Sequence, residues 1–218
     1  VRLGDADGLI SGLTRNYPDT IRPALQIIGK EDGVEKIAGL YMLVFKNRTI
    51  FIADATVNID PTAEDLSETA ILAANAVTRL GFTPKIAMLS FSNFGSTNHP
   101  FANKVAKATN IVKVKRPDII IEGEMTADIA MNTDAISDFY PFSDLKERAN
   151  TLICPDLTSA NIAYKLLGSI GGAVAIGPIL LGIKKPVYLL GPESYVDDIV
   201  NLTAMAVFEA ERKCKNGQ

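Results

Sequence analysis

The residues able to do chemistry fall in three turns rich in small side chains: Ser11-Gly12, Ser90 to Ser96, and Gly191 to Ser194. Small residues let a backbone approach a ligand, and hydroxyls with free N–H groups can hold phosphate oxygens. Two acidic pairs, Glu122/Glu124 and Asp197/Asp198, have the groups needed for acid–base work or metal binding. Both are read at helix N-termini, which attract carboxylates without any ligand. Arg22 is read at the start of a helix opening at Asp19 or Thr20, with Pro23 in its first turn. A cation there opposes the helix macrodipole unless it serves a bound anion. His99 is the only histidine, and no second histidine or Cys/His spacing supports a metal or triad role, so it is read as a loop-surface residue. Cys154 lies in an apolar strand and reads as inert core, because reactive thiols need an electropositive, accessible setting. The chain has neither a Walker loop nor a GxGxxG fingerprint. The residues alone therefore lead to an α/β protein with an anion-binding cleft and no metal site.

The elements that must position these groups alternate strand and helix, which predicts a layered α/β fold with a mostly parallel sheet. Strands are predicted over Ile37–Phe45 and Thr49–Ala53, joined by a hairpin at residues 46–48. Asp60-Pro61-Thr62 opens an amphipathic helix to Leu80, and Gly81 ends it. A strand over Lys85–Phe91, a helix over Phe101–Val114 and a strand over Asp118–Ile121 follow, with Glu122-Gly123-Glu124 leading into another helix to Met131. Further on, a strand at Thr151–Cys154 precedes a helix at Ala160–Ser169, capped by Asp156 or Thr158. Val187-Tyr188-Leu189-Leu190 is a continuous apolar run, typical of a strand covered on both faces. Gly191-Pro192 breaks it, and Ser194 with Asp197 has the spacing of an N-cap and its acidic partner. Ligands of open α/β sheets sit past the carboxyl ends of strands beside helix N-termini, so the turn Gly191–Asp198 is the first candidate site.

A chain of 218 residues, 47% hydrophobic, is enough for one large α/β domain or two smaller lobes. A net charge of −3 and a pI near 5.3, with no basic run, argue against a nucleic-acid surface. Two cysteines, Cys154 and Cys214, make no disulfide framework, which points to a reducing, cytoplasmic setting. The uncharged stretch Leu166–Ile183 is long enough to imitate a membrane span, but its five glycines and Pro178 read as a helix end, a buried strand and a turn. Val1-Arg2-Leu3-Gly4 shows no initiator Met and no signal-peptide pattern, and is read as the start of a piece of something longer.

Several blocks, in order along nearly the whole chain, resemble the phosphate acetyltransferase/butyryltransferase family. They are Asp5 to Gly12, Thr20 to Gln26, Phe51 to Asp54, Asn58 with Pro61-Thr62, Met88 to Ser92, Glu122 to Glu124, Asn161 to Leu166, Gly177 to Ile179 and Asp197 to Val200. Leu13 to Tyr17 and Tyr140 to Ser143 are most similar to the phosphotransacetylase-like C-terminal domain of bacterial NADP-dependent malic enzymes. The resemblance implies a two-lobed fold like that of the isocitrate/isopropylmalate dehydrogenases, with the cleft between the lobes. Residues 34–178 would be the second, dimer-forming lobe, and residues 1–33 and 179–218 would return to a first lobe whose N-terminal part is missing.

Family enzymes move an acetyl group between coenzyme A and phosphate, with an aspartate base, phosphate-holding arginines and a serine that stabilises the oxyanion. The resemblance puts Asp198 on the base and Arg22 on a ligand-holding arginine. Ser11, Arg15, Ser90, Ser92, Gly177, Pro178, Gly191 and Pro192 are its other implied ligand-binding positions. The family's Ser-Arg pair aligns with Gly191-Pro192, so both functional groups are missing, and Glu193 is added beside Asp197 and Asp198. Losing one oxyanion donor costs ~100–1000-fold in rate. The expectation is a catalytically degenerate module that binds acetyl-CoA or CoA, holds no cofactor tightly and forms a dimer or larger homo-oligomer. Any NADP or divalent metal would belong to a linked malic enzyme domain. The alternatives are an active phosphate acetyltransferase using Ser194 and Arg15 as relocated groups, and an oligomerisation domain without a ligand.

Overall fold

The computed structural model describes the backbone of residues 1–215 and the side chains of residues 1–211, so the Cys214 side chain lies outside the described residues. In chain order the elements are β1 (Leu9–Gly12), α1 (Tyr17–Ile27), β2 (Ala38–Val44), β3 (Thr49–Ala53), α2 (Ala63–Arg79), β4 (Lys85–Leu89), α3 (Pro100–Lys115) and β5 (Ile120–Met125). They continue with α4 (Ala127–Ala130), α5 (Thr133–Phe139), β6 (Thr151–Ile153), α6 (Leu157–Ser169), β7 (Val174–Leu181), β8 (Val187–Leu190) and α7 (Val196–Lys215).

All eight strands join one sheet, in the order β1-β8-β7-β2-β3-β6-β4-β5. This corrects the expected isocitrate/isopropylmalate dehydrogenase-like pair of lobes built on mostly parallel sheets. The sheet is mixed: β1/β8, β3/β6, β6/β4 and β4/β5 are parallel, while β2/β3, β2/β7 and β7/β8 are antiparallel. Connection length is the reason. Residues 45–48 between β2 and β3, and residues 182–186 between β7 and β8, are too few for the crossover that parallel neighbours need. As a result β1, β8 and β2 run one way and the other five strands run the opposite way.

Local chemistry explains most boundaries. Thr62 caps α2 in a capping box with Asp65, each side chain accepting the other residue's backbone N–H. Asp156 caps α6, accepting from the Ser159 N–H at 2.8 Å. His99, expected to be a plain loop residue, is the N-cap of α3: its Nδ1 accepts the Phe101 N–H at 3.2 Å. Glu122 and Glu124 do not lead into a helix. They lie inside β5, because pairing with β4 runs on to Met125. Both are buried acceptors: Glu122 takes the Asp144 N–H at 2.7 Å and pairs with Lys113 at 2.9 Å, and Glu124 takes the Ser92 hydroxyl at 2.9 Å and the Gly95 N–H at 2.6 Å. Helix α1 opens earlier than predicted, at Asn16, with Pro18 in the first turn and Pro23 inside the helix.

One core lies under α2 and α3, around Leu40, Phe51, Ala70, Met88 and Val112. The opposite face packs Leu43, Ile52, Leu145 and Leu152 under α6 and the 130–149 segment. Cys154 belongs to this second cluster, and burial with Asp156 nearby pushes its thiol up to about 12, which fits inert core. No helix among the described residues is long and apolar enough to cross a membrane.

Asp54, at the end of β3, is the densest polar knot. Its carboxylate accepts the backbone N–H groups of Gly39, Thr56, Val57 and Asn58 and the Asn58 side-chain amide, at 2.7–3.1 Å. Replacing it with alanine strands four backbone donors, one buried and three partly buried, so Asp54→Ala is expected to cost roughly 3–5 kcal/mol. The urea midpoint checks this; a loss below about 1 kcal/mol would show that water replaces the carboxylate without penalty.

Candidate functional site

The reversal of strand direction sorts the predicted site residues into two groups. The carboxyl ends of β1 and β8 open side by side, with Ser11 opposite Leu189 and Gly12 opposite Leu190. The two strands come together closely because position 12 has no side chain. A Cβ there would lie 2.0 Å from the Leu190 carbonyl oxygen, and Gly12 has φ +134°. The chain then turns with the Leu13 N–H donating to Leu190 O at 3.1 Å. β7 runs past the end of β8 and forms a wall. Its Gly177, joined to Pro178 by a cis bond, stands against the ring of Tyr41, where a Cβ would meet Tyr41 Cδ1 at 2.8 Å.

Ser11, Gly177, Pro178, Gly191, Pro192 and Asp198 therefore share one end of the sheet. Ser90 and Ser92 do not. They follow β4, which runs opposite to β8 and lies five places from it in the sheet, roughly 24 Å at ~4.8 Å per strand. The Ser92 hydroxyl is buried in its own loop, bonded to Glu124 and Ser96 and accepting from the Thr97 N–H. Arg22 lies more than one turn into α1, exposed, because the helix starts at Tyr17 and not at Thr20. The expected cation at a helix N-terminus is thus absent at Arg22. Arg15, also exposed, lines a cavity of about 360 Å³ on the α1 side of β1, together with Ser11, Asp19 and Thr20.

The β8–α7 turn satisfies its own polar groups. The Gly191 N–H donates to Ser194 Oγ at 2.9 Å, and the Ser194 N–H returns to Gly191 O at 3.1 Å. Asp198 Oδ2 accepts the Tyr195 N–H at 2.8 Å, so the reciprocal capping bond falls one residue later than the predicted Ser194/Asp197 pair. Asp197 is exposed in the first turn of α7. Glu193 folds back over the turn, and its carboxylate oxygens come within 2.8–2.9 Å of where a Cβ on Gly191 would be.

A tyrosine cluster was not singled out from the sequence. The Tyr41 and Tyr164 rings stack at 4.0 Å with 13° between planes, and Lys165 lies 5.4 Å from the Tyr164 ring centre. The Tyr41 hydroxyl interacts with Tyr17 and Tyr164. Burial, followed by these neighbours, pushes Tyr41 far above the ordinary tyrosine range. Burial is also the first cause of the rise at Tyr17, with Tyr164 and the negative charge of Glu193 adding to it. Through Tyr17 the cluster is within electrostatic reach of Glu193 in the Gly191 turn. Its members come from α1, β2 and α6, and each reads in sequence as ordinary core or helix, so no spacing signal connects them. Among the described residues no group of three His, Cys, Asp or Glu side chains is arranged to hold a metal ion.

Tyr41, Tyr17 and the buried Tyr188 all hold their protons above the ordinary value of 10.0, whereas an unfolded chain releases them near it. Stability is therefore unaffected by these groups below that pH and falls as pH rises through and beyond it. In an alkaline titration, three of the six tyrosines should give tyrosinate absorbance only as helical circular dichroism is lost. Tyrosinate from all six before unfolding would contradict the burial described.

The profile of the phosphate acetyl/butaryl transferase family matches residues 1–207. The NADP-dependent malic enzyme of Haemophilus influenzae is 40% identical over 211 residues, which are 97% of this chain and 28% of that protein. The phosphate acetyltransferase of Bacillus subtilis is 38% identical over 207 residues, 95% of this chain and 64% of that protein. Among solved structures, a phosphotransacetylase from Streptococcus pyogenes superposes with a TM-score of 0.91 at 39% identity, over 97% of this chain and 65% of the other. The chain thus spans little more than a quarter of the malic enzyme and about two thirds of the acetyltransferase. The fold it shares is that of phosphotransacetylase, in place of the isocitrate dehydrogenase-like fold expected. Mixed sheet, sequence and superposition agree: the chain belongs to the phosphate acetyl/butaryl transferase family.

Proposed function

We propose that this chain is an acyl-CoA-binding, phosphotransacetylase-like module that has lost acetyl transfer and serves regulation and oligomerisation within a malic enzyme. The observation that carries this reading is the β8–α7 turn. Gly191 and Pro192 bring neither hydroxyl nor cation there, Glu193 lies over Gly191, and Asp198 is engaged by the Tyr195 N–H. No ion pair joins an arginine to Asp198 among the described residues. Acyl transfer needs a preorganised donor at the carbonyl oxygen and positive charge at the phosphate, and a missing oxyanion donor alone costs ~100–1000-fold. On this reading acetyl-CoA or CoA would sit at the end of the sheet where the carboxyl ends of β1 and β8 open beside β7. Residues 34–178 would form the dimerising body, with residues 1–33 and 179–218 lining the cleft. NADP and a divalent metal would be held by the linked malic enzyme domain.

An active phosphate acetyltransferase is the second reading, favoured by the family itself and by the Arg15-lined cavity beside Ser11. Ser194, its other candidate, has its oxygen engaged by the Gly191 N–H. Two measurements on the intact protein separate the readings. Calorimetry should give saturable heat with acetyl-CoA, while acetyl phosphate and CoA should yield acetyl-CoA only at the rate of the buffer blank. Turnover above the blank establishes the transferase. Absence of both heat and turnover, with malic activity indifferent to acetyl-CoA, removes the module reading.

A further inference from the structure

Glu193 occupies an unusual position. A hypothetical Cβ on Gly191 would meet Glu193 Oε2 at 2.8 Å, Cδ at 2.9 Å and Oε1 at 2.9 Å. The carboxylate therefore fills the volume into which a side chain at position 191 would project. Gly191 is buried although Pro192 and Glu193 are exposed. Glu193 makes no ion pair among the described residues. The Gly191 N–H is engaged by Ser194 Oγ and the Tyr195 N–H by Asp198, so neither donor offsets the Glu193 charge. Tyr17 feels the Glu193 charge, and the hydroxyls of the Tyr17–Tyr41–Tyr164 cluster hydrogen-bond uncharged oxygens without needing a counter-charge.

We infer that Glu193 is a specificity-determining residue, an internal anion that keeps phosphate and acyl phosphate off the Gly191 turn and discriminates far less against the uncharged acyl end of a thioester. The inference rests on the acyl-CoA reading for the ligand admitted, but not for the ligand excluded. Like charges brought together at a binding surface are strongly disfavoured, and one repulsive group suffices to discriminate between ligands.

The test is calorimetry of the intact wild type, Glu193→Gln and Glu193→Ala with acetyl phosphate, inorganic phosphate and acetyl-CoA. Glu193→Gln keeps the shape and removes the charge. Because Glu193 is exposed, both variants should retain the wild-type melting curve, which is recorded alongside. The expected result is a gain on the order of tenfold or more in acetyl phosphate and phosphate affinity in both variants, with acetyl-CoA affinity changed far less. Equal acetyl phosphate affinity in all three folded proteins would overturn the inference, as would no gain in either variant. A gain in phosphate affinity with no acetyl-CoA binding to any of them would uphold the role of Glu193 and defeat the acyl-CoA reading alone.

Discussion

The antiparallel return of β8 from β7 decides what this molecule can bring together. The link of residues 182–186 cannot carry a crossover, so β8 runs against β7, and β1 follows β8 in parallel. From that reversal it follows that the loops after β3, β4 and β5 open at one end of the sheet and the turns after β1 and β8 at the other. The parallel contact of β1 and β8 depends in turn on the bare Cα of Gly12 beneath the Leu190 carbonyl, a position where the backbone conformation also excludes most side chains. With both in place, Gly177, Tyr41 and the Gly191 turn reach one another although they lie far apart in the chain.

Carboxylates do two different jobs at the two ends. Asp54, Glu122 and Glu124 are buried and engaged by backbone and side-chain donors, so they organise loops. Glu193 and Asp197 are exposed at the other end, in a turn that brings no cation of its own, and Asp198 spends one oxygen on a cap. The turn thus presents negative charge together with engaged N–H groups. The neutral tyrosine hydroxyls supply hydrogen bonding without charge.

Much of the architecture was legible in the amino-acid order. The hairpin of β2 and β3, the boundaries of α2 with its Thr62/Asp65 box, the Asp156 cap and the apolar run of β8 depend on neighbours within a few residues, and short-range chemistry is what a sequence records. The end of β8 at the Gly191 turn was visible for the same reason, since an apolar run ended by Gly-Pro marks a strand end. Errors arose where local preference met longer-range pairing. Glu122-Gly123-Glu124 has the polarity of a loop, yet pairing with β4 and buried donors hold it in a strand. Pro23 suits a first turn, but Pro18 already occupies that place.

What the chain order determined by itself was the alternation of elements, the family blocks and the absence of a hydroxyl or a cation in the Gly191-Pro192 pair. What only the tertiary structure decided was direction and convergence. Strand polarity across a mixed sheet is set by pairing between distant segments, so Ser90 and Ser92 were separated from Gly191, and the Tyr17–Tyr41–Tyr164 cluster was assembled from three elements with no shared motif. The placement of the Glu193 carboxylate over Gly191 has the same origin: it depends on a folded turn, which residue identity alone does not specify.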